Sequence, residues 1–208
     1  MDIKLYGLEE SVYTRIVRLV LVAKEIEFVE VHADPFEGGQ LPEDYEFRHP
    51  FKRIPAVEID GVRLYETDAI VQYVDAITSP PSLIPNEALA AARMRQLMRI
   101  VDSYAYRPLV WGVYVPIWWR DGQQPASETI ADARHVLGVI EGFAMDAPAA
   151  AFAGNTLATF YLASVLAAAD SVVAGTRLID ERPHLREWWN GFRVLPIMAR
   201  TRSNHTKF

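Results

Sequence analysis

Glu66 and Thr67 stand between a short strand-like run, Val62-Arg63-Leu64-Tyr65, and a stretch whose apolar positions Ile70, Tyr73, Val74 and Ile77 follow helical spacing. A helix beginning there points its first unpaired N–H groups outward, which makes an anion site. Thr67, as N-cap, would receive a ligand carboxylate through its hydroxyl and amide, and Glu66 would pair with an α-ammonium. Together they suit the free amino-acid end of a ligand. An isolated Glu-Thr is more simply a cap whose acid complements the helix dipole. Pro55 opens the run Ala56-Val57-Glu58-Ile59, a tolerated place for proline and a common one for a cis bond. A cis bond would turn the Ile54 N–H and C=O outward, where an extended peptide can add as a strand. A trans proline starting a strand is the alternative. The chain has no cysteine, so a thiol nucleophile would have to arrive with a ligand, and disulfides and thiolate metal sites are excluded.

The elements that must position these residues alternate in type. Ile3 and Leu5 read as a strand, Ile16, Val17, Val20 and Leu21 as a helix face, and Glu27-Phe28-Val29-Glu30-Val31 as a strand of period two. A β-α-β order favours a parallel pair with a right-handed crossover. After a polar stretch over residues 34–46, Asp60-Gly61 separates two short strands, a strong hairpin signal. The order β-α-β-(α)-β-β-α is that of a small α/β domain. Ser79-Pro80-Pro81-Ser82 breaks the helix, and beyond it nearly everything is helical. Met94, Leu97, Met98, Val101 and Ala105 form one stripe; Ile130, Ala133, Val136, Leu137 and Ile140 form another. Leu157–Ala169 is apolar almost all round and predicts a buried central helix, with Leu185, Trp188, Trp189 and Phe192 closing the bundle. The expected domains are 1–79, a linker over 80–86, and an all-helical 87–208.

At 208 residues, half of them apolar, a substantial core is affordable. A net charge of -6 without a Lys/Arg run argues against nucleic acid and anionic lipid, leaving a small molecule as the default partner. The opening MDIKLYG lacks a basic region before an apolar stretch, and the longest apolar run is too short to span a bilayer. A soluble, cytoplasmic chain is the expectation. His135, His184 and His205 are scattered without ligand spacing, so no metal site is predicted.

The pieces His49-Pro50-Phe51-Lys52-Arg53-Ile54-Pro55-Ala56-Val57, Asp60-Gly61 and Leu64-Tyr65-Glu66-Thr67-Asp68-Ala69-Ile70-Val71-Gln72-Tyr73 together resemble the glutathione-site signature of the cytosolic glutathione S-transferase family. The resemblance implies a thioredoxin-like N-terminal domain with a mixed four-stranded sheet, followed by an all-α helical bundle domain. It makes Pro55 the family's cis-proline, Ile54 the residue whose main chain pairs with the cysteinyl part of glutathione, and Glu66 and Thr67 the γ-glutamyl-binding pair. Gln40, Lys52 and Arg53 fall where members place groups that reach the glycyl carboxylate. The activating residue lies at the start of the first helix; Ser11, seven residues before Arg18, matches the serine- and cysteine-type register, with Tyr6, Tyr13 and Thr14 in reserve. A hydroxyl donor and the positive helix end both favour thiolate over thiol. Against a thiol pKa of about 8.5, each unit of depression is about 1.4 kcal/mol, so one or two hydrogen bonds make thiolate abundant at neutral pH. Ser11 reads equally as an N-cap, and Val12 stands where proline often follows the activating serine.

In the helical half the likeness is one of outline. Thr159 stands where the family's capping box carries an acid, so the reciprocal bond to Thr156 is expected to be weakened. Asp102 falls where some members reach glutathione across a dimer, though a solvated helix-face carboxylate is the simpler reading. Tyr104, Tyr106, Trp111, Tyr114, Trp118 and Trp119 cluster where Pro108 and Pro116 bend the path, a region suited to an apolar cosubstrate, with Tyr106 and Trp111 as examples. The implied function is conjugation of glutathione to an electrophilic, apolar small molecule by a homodimer in detoxification. The alternatives are a non-catalytic glutathione-binding or protein-interaction module and a glutathione-dependent isomerase or dehalogenase.

Overall fold

Asp60 and Gly61 both adopt left-handed backbone, with φ of 47° and 84°. Two consecutive positive φ values match the right-handed twist of the strands they join, and the second is inexpensive only for glycine. The Asp60 carboxylate accepts from the Asp2 N–H at 2.7 Å, tying the turn to the start of the chain. The hairpin joins β3 (Ala56–Ile59) to β4 (Val62–Tyr65). Ahead of it come β1 (Ile3–Gly7), α1 (Val12–Ala23) and β2 (Val29–His32), and behind it α2 (Thr67–Ile77). The computed structural model describes residues 1–120, 122–146 and 152–203. It divides into two units, Met1–Ser82 and Leu83–Arg202.

In the first unit the strands form one mixed sheet in the order β2-β1-β3-β4, with β1 and β2 parallel and the other pairs antiparallel. This is the expected thioredoxin-like arrangement. α1 buries Ile16, Val17, Val20 and Leu21, as their spacing predicts. α2 packs on α1 through Ile70, Val71 and Val74, whereas Tyr73 and Ile77 face outward. The expected face is thus rotated by about one position, since Val71 fills the core better than Tyr73, whose hydroxyl prefers water. β2 is an edge strand with Val29 exposed, so its period-two pattern marks no buried face. Lys24, at the end of α1, and Asp75 on α2 form a buried ion pair at 2.6 Å. The Lys24 ammonium also donates to the Pro81 carbonyl at 2.7 Å, and Ser82 Oγ donates to Asp75 at 2.7 Å. The linker therefore leaves the sheet unit clamped by charge.

The second unit is all-helical. α3 (Ala88–Ile100) leads into two π-helical stretches, Val101–Ala105 and Arg107–Tyr114, and then α4 (Val115–Trp119). The amides of Tyr106 and Val115 donate five residues back, to Val101 and Val110. Pro108 has no N–H and its ring would crowd the preceding turn of an α-helix; the wider turn accommodates it, so the path stays helical over 88–119. α5 (Ser127–Asp146), α6 (Leu157–Ala169), α7 (Val173–Asp180), α8 (Pro183–Phe192) and α9 (Pro196–Arg200) complete the unit. Every residue of α6 is buried, and Trp189 and Phe192 of α8 lie in the same core.

The expected weakening of the cap before α6 is not found. Thr159 Oγ1 accepts the Thr156 N–H at 2.9 Å while Thr156 Oγ1 accepts the Thr159 N–H at 3.2 Å, so the box is closed. A hydroxyl lone pair serves as well as a carboxylate at this distance, and the Thr159 hydroxyl donates back to the Thr156 carbonyl at 2.8 Å.

Candidate functional site

The register of the sheet decides where the chemistry-bearing segments meet. Tyr6 lies opposite Ala56, Ala56 opposite Tyr65, and Gly7 beside His32. The C-terminal ends of β1, β2 and β4 and the N-terminal end of β3 therefore share one end of the sheet. Ser11 follows β1, Gln40 follows β2, Lys52 to Pro55 precede β3, and Glu66 and Thr67 follow β4. Each of these eight residues is on a segment issuing from that end.

Ser11 is the N-cap of α1, with extended backbone and its Oγ accepting the Thr14 N–H at 3.3 Å. The turn before it closes through the Ser11 N–H and the Leu8 carbonyl at 3.2 Å. Capping uses an oxygen lone pair, and the hydroxyl proton remains for another acceptor. The cap and a thiolate-donor role are therefore compatible. Among the reserves, Tyr6 and Thr14 are core residues and Tyr13 is half-buried.

The Ile54–Pro55 peptide bond is cis. The strand ladder starts at Ala56, so the main-chain groups of Ile54 lie outside it, while the Ile54 side chain packs on the cluster of Tyr6, Ala33, Tyr45 and Ala56. Tyr45 anchors this segment: its hydroxyl donates to the Arg53 carbonyl at 2.9 Å. Burial pushes the Tyr45 phenol far above its ordinary range, despite the opposing Arg48 charge, so it stays a donor. Tyr6 meets Tyr45 edge-on with ring centroids 6.2 Å apart, and the Arg48 guanidinium covers the Tyr6 ring at 4.9 Å. Sequence reasoning missed Tyr45; its place in an otherwise polar loop was the available signal.

Glu66, not Thr67, caps α2, without a side-chain cap bond; Thr67 is the first helical residue and is buried. The main-chain geometry explains the one-position difference. Glu66 has φ 67° and ψ 115°, a conformation rare outside glycine, which ends the strand abruptly and starts the helix at once. Lys52 is likewise left-handed, with φ 53°. The side chains of Gln40, Lys52, Arg53 and Glu66 are exposed; positive and negative groups thus face solvent at the same sheet end.

His49 lies beneath this rim, almost fully buried, its ring 4.9 Å from that of Tyr65 and 6.2 Å from that of Phe51. Its Nδ1 is buried without a hydrogen-bond partner. Burial holds its pKa below the ordinary value, against the pull of the Glu66 carboxylate and with help from the Arg53 charge.

Within the helical unit, the Trp111 indole N–H donates to the Tyr106 hydroxyl at 3.1 Å, and burial pushes the Tyr106 phenol up. Of the six aromatics only Tyr114 is fully buried; Tyr104, Trp111, Trp118 and Trp119 are exposed. Asp102 accepts from Arg99 at 2.8 Å on the helix surface. Among the described residues no His, Asp and Glu group suits a metal ion, and no helix is long and apolar enough to cross a membrane. His205 lies outside the described residues.

A mixed four-stranded sheet unit of this kind, followed in the chain by an all-helical unit, defines a class that known proteins share. The family model described as "Glutathione S-transferase, N-terminal domain" matches residues 5–82. A glutathione S-transferase of Pseudomonas putida is 32% identical over 106 residues, 51% of this chain and 46% of that protein, so that match spans about half the relative's length. Glutathione S-transferase F7 of Arabidopsis thaliana is 28% identical over 89% of this chain and 92% of its own. The solved structure of glutathione S-transferase III in apo form superposes with a TM-score of 0.81 at 26% identity, covering 97% of this chain and 95% of that one. Residues 5–82 thus match the N-terminal domain of glutathione S-transferases, a family whose members use glutathione as cosubstrate, and the fold of the chain is that of solved glutathione S-transferases.

Proposed function

We propose that glutathione binds at the shared sheet end and that Ser11 stabilises its thiolate for attack on an electrophilic, apolar small molecule. The observation that carries this reading is the convergence of the Ser11, Ile54-Pro55 and Glu66-Thr67 segments on one end of the sheet, through the register Tyr6, Ala56, Tyr65. Glutathione is a peptide with a free amino-acid end. Its cysteinyl main chain adds beside Ile54, whose own groups lie outside the ladder. Its α-ammonium pairs with Glu66, and its γ-glutamyl carboxylate is received by the Thr67 hydroxyl and the first amides of α2. Gln40, Lys52 and Arg53 supply the groups for the glycyl carboxylate, Lys52 and Arg53 with charge.

With the thiol supplied by the ligand, the protein's work is to ionise and aim it. The Ser11 hydroxyl donates to sulfur while its lone pair keeps the cap, and the helix end adds positive potential. Sulfur attacks the electrophilic carbon, and the leaving group departs with the bonding pair or, in an addition, the carbanion takes a proton from solvent. Tyr106 and Trp111 of the helical unit are the candidates for recognising the electrophile. The chain acts as a homodimer in the cytoplasm, in detoxification; the exposed Phe47 and Phe51 side chains support a further protein surface on the sheet unit.

Titration calorimetry with glutathione and a conjugation assay on an activated aryl halide test the reading together. Binding with turnover that collapses in Ser11→Ala is expected. Binding without turnover, unchanged by Ser11→Ala, would mean a non-catalytic module.

A further inference from the structure

Two turns below Ser11, Arg18 lies on the same face of α1. Its guanidinium is buried, with the side chain 5% exposed, and grips Glu30 of β2 bidentately, Nε to Oε1 at 2.7 Å and Nη2 to Oε2 at 2.9 Å. A third bond runs from Nη1 to the Glu9 carbonyl at 3.4 Å. Helical side chains lean toward the N-terminus, so a residue two turns in can reach the segment that precedes the helix.

We infer that Arg18 is the positioning residue for Ser11, holding the Leu8-to-Ser11 turn at fixed distance from the sheet through the Glu9 carbonyl, with Glu30 fixing the guanidinium. The inference rests on the proposed role of Ser11. Two of the turn's anchors bear on its position against the sheet. One is covalent, at Gly7, where β1 ends and a side chain would collide with Thr14. The other is Arg18, which connects the middle of the turn to the edge strand beside β1. Without the second anchor the turn is held less firmly against the sheet, and the Ser11 hydroxyl is less well aimed at a bound sulfur. The bidentate carboxylate makes the guanidinium a planar brace, a task a lysine ammonium does poorly.

The test uses the full-length protein with glutathione as the probe, reading the pKa of the bound thiol from thiolate ultraviolet absorbance against pH, alongside the melting temperature. Ser11→Ala raises that pKa by roughly one unit, a tenfold loss of thiolate at a given pH. Arg18→Lys and Glu30→Gln raise it in the same direction by less, and each adds little in the Ser11→Ala background, because the brace acts only through the hydroxyl. Arg18→Met is the harsher version, and Glu30→Gln keeps the question open to measurement should that variant not fold. A lowered melting temperature with an unchanged thiol pKa in both milder variants, while Ser11→Ala shifts it, would overturn the inference and leave the Ser11 reading intact. No shift in Ser11→Ala would overturn the Ser11 reading itself, and the brace with it.

Discussion

The phenol of Tyr45 donates across 2.9 Å to the carbonyl of Arg53, two residues before the cis-proline, so a buried ring in one loop sets the path of the segment that enters β3. Tyr45→Phe leaves that carbonyl without its donor. It is expected to cost about 1–2 kcal/mol of stability and to weaken glutathione binding several-fold, measured by urea denaturation and calorimetry. A variant of reduced stability that binds glutathione normally would separate Tyr45 from the site.

The proposed site pairs Glu66 with the α-ammonium of the ligand, a role that would be specific to one end of glutathione. Glu66→Gln is expected to weaken glutathione by roughly tenfold while leaving an N-acetylated glutathione, which lacks the cation, nearly unaffected. Equal losses for both ligands would remove Glu66 from that role.

The Lys24–Asp75 pair is buried on both sides, with side chains 2% and 4% exposed. Lys24→Met strands the Asp75 charge and is expected to cost about 3–5 kcal/mol in urea denaturation. Lys24→Met with Asp75→Leu recovers much of the loss, because the desolvated charge is then gone.

His49 ties stability to pH. Its folded pKa lies below its ordinary 6.5, so the stability it contributes is present above the ordinary value and is lost as pH falls through the lowered one. The unfolded chain takes the proton first. Melting temperatures recorded against pH are expected to fall on the acid side of neutrality, and His49→Gln flattens that limb. An unchanged limb would assign it to other groups.

Much of the sheet unit was legible because its signals are local. Asp60-Gly61 demands its turn whatever surrounds it, and the α1 stripe has one possible inward face. Convergence of the site segments depends on strand register, which the ordered motif implied only through its resemblance. What escaped were choices between near-equivalent local solutions. Tyr73 or Val71 could each complete the α2 stripe, and only the space against α1 decides. Glu66 takes a left-handed backbone that its residue type does not advertise, moving the cap by one position. The Tyr45 and Arg18 contacts join residues on separate segments eight to twelve positions apart, so neither follows a helix or strand period. Pro108 announced an interruption, yet the helix absorbed it by widening rather than breaking.

Asp170, the C-cap of α6, gathers Arg186 and Arg193, each at 3.1 Å, and the Trp189 indole at 2.8 Å. Burial pushes its carboxyl up, but the bonds from Arg186, Trp189 and Thr176 outweigh it and hold the pKa below the ordinary 3.8. The clasp at the other end, Thr156 with Thr159, contains no group that titrates. The central helix is thus fastened by neutral hydroxyls where it begins and by charge where it ends. Acid reaches one fastening and passes over the other. Amide exchange in strong acid is accordingly expected to quicken first around Asp170, with the amides near Thr159 protected longest. A helix whose first turn is fastened by threonine hydroxyls keeps that grip in acid where the carboxylate at its far end no longer can.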